Sequence, residues 1–160
     1  MLDPYHPEGS TLGVHFNTSV ATRYWPRPDR SHLNWIITDS DWEDKLAARI
    51  EDHPKVLAYA KNHNLGFEVP YLKEGEPHVY RPDFLIRLDT SEPTTLVIEV
   101  KGFRGHDAML KADTIRNKWV PSVNRLERFG RWGFAELRSA HDFGPDLDEA
   151  ISDMLGAVPA

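Results

Sequence analysis

The feature that most restricts this chain is a pair of alternating segments, residues 79–88 and 95–101, separated by the turn-rich run Asp89 to Pro93. Tyr80, Phe84, Ile86 and Leu88 recur at even spacing in the first, and Leu96, Ile98 and Val100 in the second. Arg81, Asp83 and Arg87, then Glu99 and Lys101, occupy positions between them. A period of two is the geometry of a strand whose successive side chains point to opposite sides, so both segments are expected as strands with their apolar sides on a core. If a five-residue loop from Asp89 to Pro93 joins an unbulged antiparallel ladder, Leu88 pairs with Thr94. Counting back then sets Asp83 opposite Glu99 and Arg81 opposite Lys101. Like charges directly opposed across a sheet cost about 0.2–1 kcal/mol, and more where they are partly buried. A divalent cation between the carboxylates removes the conflict, and hard oxygen ligands suit Mg²⁺ or Mn²⁺. Lys101, two residues past Glu99, projects from the same side, where an ammonium can orient a nucleophile and offset charge developing on a phosphate oxygen. For a lone Glu-x-Lys, an exposed Glu99–Lys101 ion pair of little energetic worth is the better explanation. The facing Pro82-Asp83 is what moves the reading toward chemistry.

Around this hairpin the sequence predicts a helix from about Asp41 to Asp52, with Trp42, Leu46 and Ile50 on one stripe and Pro54 beyond its end. Ser40 and Glu43 have the spacing of a capping box. Val56 to Ala60 is apolar but too short to assign, and a strand is expected over 65–72, followed by a turn at Glu74 to Pro77. A second helix is expected over 107–120, with Ala108, Ala112, Ile115 and Trp119 inward and Pro121 as its stop. A fourth strand over 132–138 and a short acidic helix carrying Leu147, Ile151 and Leu155 complete the order helix, three strands, helix, strand. The fold class is therefore α/β, a mixed and mostly antiparallel sheet flanked by helices. Residues 1–34, with Pro4, Pro7, Pro26 and Pro28 and no sustained period, are expected as an irregular arm or linker. The domain proper is expected over 35–140 and an acidic tail or short helix over 141–160.

With 160 residues the chain matches the size of one domain, and its lack of cysteine excludes disulfide frameworks, thiol nucleophiles and thiolate zinc sites. No apolar run approaches the roughly 20 residues of a membrane helix, and residues 1–10 lack the pattern of a signal peptide, so a cytoplasmic protein without membrane contact is expected. The net charge of -6 conceals an asymmetry. Residues 101–131 carry Lys101, Arg104, Lys111, Arg116, Lys118, Arg125, Arg128 and Arg131 against Asp107, Asp113 and Glu127, whereas the stretch after Arg138 carries acids alone. On charge alone both runs read first as ordinary solvated surfaces, with a polyanion facing the basic one as the alternative. No zinc helix, serine elbow or nucleotide-cradling glycine loop is present in the sequence.

The run Arg81-Pro82-Asp83-Phe84-Leu85-Ile86, followed by Val97-Ile98-Glu99-Val100-Lys101-Gly102, resembles the PD-(D/E)xK signature of restriction-endonuclease-like nucleases, whose αβββαβ core has the element order given above. More narrowly, SDWE at 40–43, KNHNLGFEVPY at 61–71, WVPSVN at 119–124 and FGRWGFAEL at 129–137 are similar to the C-terminal endonuclease domain of type III restriction enzyme Res (helicase-nuclease) subunits. The resemblance spans roughly residues 33 to 138. It implies an Mg²⁺-dependent DNA endonuclease, with Mn²⁺ able to substitute, in which Asp83 and Glu99 ligate the metal and Lys101 assists the attacking water. Glu43 matches a first-helix glutamate that joins the metal site in many relatives, although the capping box with Ser40 also accounts for it. Arg104, Lys111 and Lys118 would be DNA phosphate contacts.

A complete Res subunit has a motor, which this chain lacks, so a helicase or ATPase partner and a methyltransferase or specificity subunit are expected, together with a possible dimer. Two alternatives stand beside this reading. One is a catalytically silent nuclease-like module that docks a partner or DNA; the other is a nuclease of transposition or repair.

Overall fold

The computed structural model describes residues 11–15, 23–33, 35–37, 41–100, 106–138 and 143–156. Two short strands, β1 (Arg23–Tyr24) and β2 (Ile36–Ile37), pair antiparallel ahead of helix α1 (Asp41–Asp52). The central sheet contains β3 (Val56–Lys61), β6 (Phe84–Leu88), β7 (Thr94–Val100) and β8 (Arg131–Leu137) in that spatial order. Between β3 and β6 the chain makes a separate hairpin of β4 (Val69–Lys73) and β5 (Glu76–Tyr80). Helix α2 (His106–Thr114), a π-helical turn (Ile115–Trp119) and α3 (Val120–Arg125) connect β7 to β8, and α4 (Gly144–Gly156) follows. Because β7 and β8 are parallel while the other two pairings are antiparallel, the sheet is mixed, and the α/β class with flanking helices is present as expected.

Helices cover both sides of the sheet, and each side has its own core. On one, Leu46 and Ile50 of α1 and Leu147, Ile151 and Met154 of α4 enclose Phe84, Ile86, Leu88, Leu96 and Ile98. On the other, Val69, Tyr71 and Tyr80 of the hairpin meet Val97 and, from the crossover, Ile115, Trp119 and Val123. Each such aliphatic or aromatic side chain contributes about 1.5–3 kcal/mol on leaving water. Burial on both sides explains why β7 reads as an almost unbroken apolar run from Leu96 to Ile98.

Five sequence expectations are corrected by the packing. The segment read as one strand over 79–88 is two strands in different sheets, since Pro82 lacks the N–H a ladder requires and the chain changes partner across Arg81-Pro82-Asp83. The strand expected over 65–72 starts only at Val69, because Asn64 (φ 54°) and Gly66 (φ 77°) adopt left-handed turn geometry and Asn62 binds both backbone groups of Phe67. The first core strand is instead the unassigned run at Val56, and the turn into β5 is the two-residue Glu74-Gly75, both at positive φ. In α1 the buried stripe is Glu43, Leu46, Ala47 and Ile50, leaving Trp42 exposed. Finally, Pro121 does not stop the second helix. The preceding turn widens to π geometry, which accommodates a residue with no N–H, and the helix continues in α3.

The stretch expected as an irregular arm is tied to this core where it is described. The buried carboxylate of Glu51 accepts from the Tyr24 hydroxyl (2.9 Å), the Arg27 N–H (2.7 Å) and the Tyr59 hydroxyl (2.7 Å). Gly130 before β8 shows why a side chain cannot be placed there: φ is +70° and a Cβ would meet the Pro93 carbonyl oxygen at 2.1 Å. That close approach lets the Arg131 N–H bond Pro93 (2.7 Å) and aligns β8 with β7. None of the described helices is long and apolar enough to cross a membrane.

Candidate functional site

The β6–β7 register runs from Leu88 opposite Thr94 to Phe84 opposite Ile98, as the loop count predicts. One step beyond the ladder stand Asp83 and Glu99. The turn after Pro82 lets the Asp83 carboxylate fold onto the neighbouring strand, where its Oδ2 accepts from the Val100 N–H at 2.7 Å. Its carbonyl meanwhile accepts from the Asn62 N–H at 2.8 Å, fixing it against β3 as well.

Burial and proximity act together on the two acids. Asp83 is pushed above the ordinary aspartate value, first by burial, with the Val100 N–H opposing and the charge of Glu43 adding to the rise. Glu99 is pushed up to about 8, first by burial and next by the charge of Asp83. The Tyr80 hydroxyl and the Lys111 ammonium oppose that rise. Tyr80 is itself driven well above its ordinary value by burial and by Glu99. For both carboxyl groups burial outweighs the opposing charges of Lys61, felt by Asp83, and Lys111, felt by Glu99.

The other expected residues are distributed unevenly. Glu43 of α1 is close enough for Asp83 to sense it, but Lys61 of β3 donates from Nζ to its Oε2 at 2.6 Å, and both side chains are buried. Lys111 of α2 lies 5.8 Å from the Tyr80 ring centroid and 5.9 Å from that of Tyr71, a cation poised over two rings beside the acids. Lys118 lies further along, solvent-exposed in the π-helical turn. Lys101, Arg104 and the Ser40 cap lie outside the described residues. Asn64 serves the turn, and Glu68 accepts from Arg81 Nε at 2.8 Å.

Sequence reasoning missed Lys61, Tyr80 as a site residue, and Glu136. Lys61 was hidden because its strand was unassigned. Glu136 sits beside Glu99 in the parallel β7–β8 register and is bound by Arg116 Nη2 at 3.1 Å. Its signal was the alternation of Phe134 and Glu136, legible only once β8 is aligned with β7.

A divalent cation fits the donor set on two grounds. Among the described residues Oε2 of Glu99 is buried without a hydrogen-bond partner, and an anionic oxygen in that condition is costly unless a cation or solvent meets it. The adjoining donors are hard carboxylate oxygens. Among the described residues no group of three or more His, Cys, Asp or Glu is placed to hold a metal ion. The protein would therefore supply two carboxylates and leave the other positions to solvent or phosphate, which is the habit of Mg²⁺. Compared with known proteins, the chain matches no family, no curated sequence and no solved structure.

Proposed function

We propose that this protein is a metal-dependent DNA endonuclease with a restriction-endonuclease-like αβββαβ core, of the kind that serves type III restriction enzymes. The observation that carries the reading is the Asp83–Glu99 pair, two carboxylates brought together by adjacent strands, one of them with a buried oxygen that has no partner among the described residues. Asp83 and Glu99 hold Mg²⁺ or Mn²⁺. The ion supplies Lewis-acid polarisation of the phosphate and neutralises its developing charge. Lys101, two positions past Glu99, orients the attacking water, and Lys111 places a second ammonium on the phosphate side of the pair. The Glu43–Lys61 ion pair positions Asp83 and need not ligate metal. Arg104, Lys111 and Lys118 contact DNA phosphates, which set position without sequence choice. Choice of site then falls to a methyltransferase or specificity subunit and translocation to a helicase motor, with a dimer supplying paired cuts.

The test is cleavage of supercoiled plasmid with Mg²⁺ or Mn²⁺. Asp83→Ala and Glu99→Ala are each expected to reduce nicking at least a hundredfold, and parental activity in either variant refutes the assignment. A silent docking module is favoured by one observation, the engagement of Glu43 by Lys61. Calorimetric titration with Mn²⁺ separates the two, since a nuclease site must bind the ion with or without DNA.

A further inference from the structure

A cavity of about 850 Å³ opens on the crossover side of the sheet, toward the β6–β7 turn and away from the acidic pair. One wall is aromatic. Phe67 and Trp132 lie nearly parallel with centroids 5.8 Å apart and planes at 8°, and the Trp119 ring meets both edge-on at 5.4 and 5.3 Å. The indole N–H of Trp132 is satisfied by the Phe129 carbonyl at 3.0 Å, which holds that ring in place. The opposing character is cationic. Arg87 of β6 lines the cavity with its Nη1 bonded to the Thr95 hydroxyl at 3.2 Å, and Arg128 lies at the rim. Neither guanidinium has a carboxylate partner among the described residues. The acids that line the cavity are already engaged, Asp29 by Arg27 and Glu68 by Arg81.

We propose that this cavity binds a single nucleotide, with its base on the aromatic wall and its phosphate at Arg87 and Arg128. The volume lies in the range of small-ligand sites, about 300–1,000 Å³. A planar ring recognises a base without regard to its identity, and a guanidinium fork fits phosphate oxygens. The location also suits a nucleotide of a bound strand. Arg87 and Thr95 are four residues along their strands from Asp83 and Glu99, a span of about 13 Å at 3.3 Å per residue. At about 3.4 Å per stacked nucleotide, that is about four steps from a phosphate lying at the acids. The pocket requires neither metal nor hydrolysis, so it goes beyond the nuclease reading and is tested apart from it.

The full chain is titrated in EDTA with deoxyadenosine 5′-monophosphate and, separately, with a short single-stranded oligodeoxynucleotide, following indole N–H signals by two-dimensional NMR. The expected result is a saturable shift of Trp119 and Trp132, with Trp25, Trp35 and Trp42 unmoved, and affinity about tenfold weaker in Arg87→Gln. Arg128→Gln, at an exposed position, should weaken binding several-fold without risk to the core. Saturation by the oligonucleotide alone, at the same two indoles and sensitive to both arginines, upholds the pocket and identifies the ligand as a nucleotide within a strand. Absence of those shifts with both ligands, shifts confined to the other three indoles, or equal affinity in the parent and both arginine variants overturns the proposal. Binding that persists in inactive Asp83→Ala protein, or in a parent that cuts no plasmid, keeps the two results separate.

Discussion

Replacing Glu99 by Gln should stabilise the metal-free protein above pH 7 and leave it unchanged near pH 4.5. Glu99 in the folded protein keeps its proton up to about 8, whereas the unfolded chain releases it near 4.5. Between those values the native state binds more protons than the unfolded one, so stability falls as pH rises through the window and then levels off. A rise of about 3.5 units at 1.36 kcal/mol each sets a ceiling of about 5 kcal/mol. Asp83 shares the proton with Glu99, so about half of that, roughly 2–3 kcal/mol, belongs to the glutamate alone. Gln keeps the shape and cannot ionise. For a chain of this size 1 kcal/mol moves Tm by about 2–4 °C, so Glu99→Gln should melt roughly 5–10 °C above the parent at pH 8.5. Differential scanning calorimetry in EDTA from pH 4.5 to 9 reads the difference directly; groups remote from the pair cancel between the two proteins, and Asp83, which titrates with Glu99, is part of the difference. Saturating Mn²⁺ at pH 8 should raise the parent and not the variant, by about 2.7 kcal/mol at one hundred times Kd. Parallel curves for the two proteins across the whole range refute the account of the pair.

Three further outcomes follow from named contacts. Lys61→Met should cost about 3 kcal/mol in urea unfolding, because Glu43 stays buried after losing its ammonium, and Glu43→Leu in the same chain should recover most of it. Gly130→Ala should cost about 3 kcal/mol or more, read as a lower denaturation midpoint, since it combines a left-handed backbone with a clash against Pro93. Lys111→Ala should weaken DNA binding alike for all sequences and reduce the slope of log K against log salt by about 1, measured by fluorescence anisotropy.

The hairpin was legible in the sequence because its information is local. Alternation and loop length alone define the pairing of Leu88 with Thr94 and hence the approach of Asp83 to Glu99. Helix α1 was legible for a similar reason, as its bounds at Asp41 and Asp52 lie beside a capping pattern and a proline. What stayed hidden depended on distant partners. The run at Val56 becomes a strand because β6 is available beside it, and no period within it could reveal that. Tyr80 keeps the alternation of Phe84 and Ile86, yet it belongs to another sheet, so periodicity alone concealed the break at Pro82. Pro121 was misread because a stop and a π-widened turn differ in what the preceding helix can yield, which is set by the packing of Ile115 and Trp119. Lys61 became visible as a site residue only when β3 met α1.

The hairpin of β4 and β5 leaves the central sheet after Lys61 and rejoins it at Phe84, and the Asn62 N–H on the Asp83 carbonyl closes the excursion at its base. A loop sealed at its neck transmits little of what happens at its tip. A change of length around Glu74-Gly75 leaves the aspartate in its place, whereas one between Asp83 and Glu99 shifts the register that sets the two acids side by side. Descendants and ancestors of this chain would be traced by the second spacing and missed by the first.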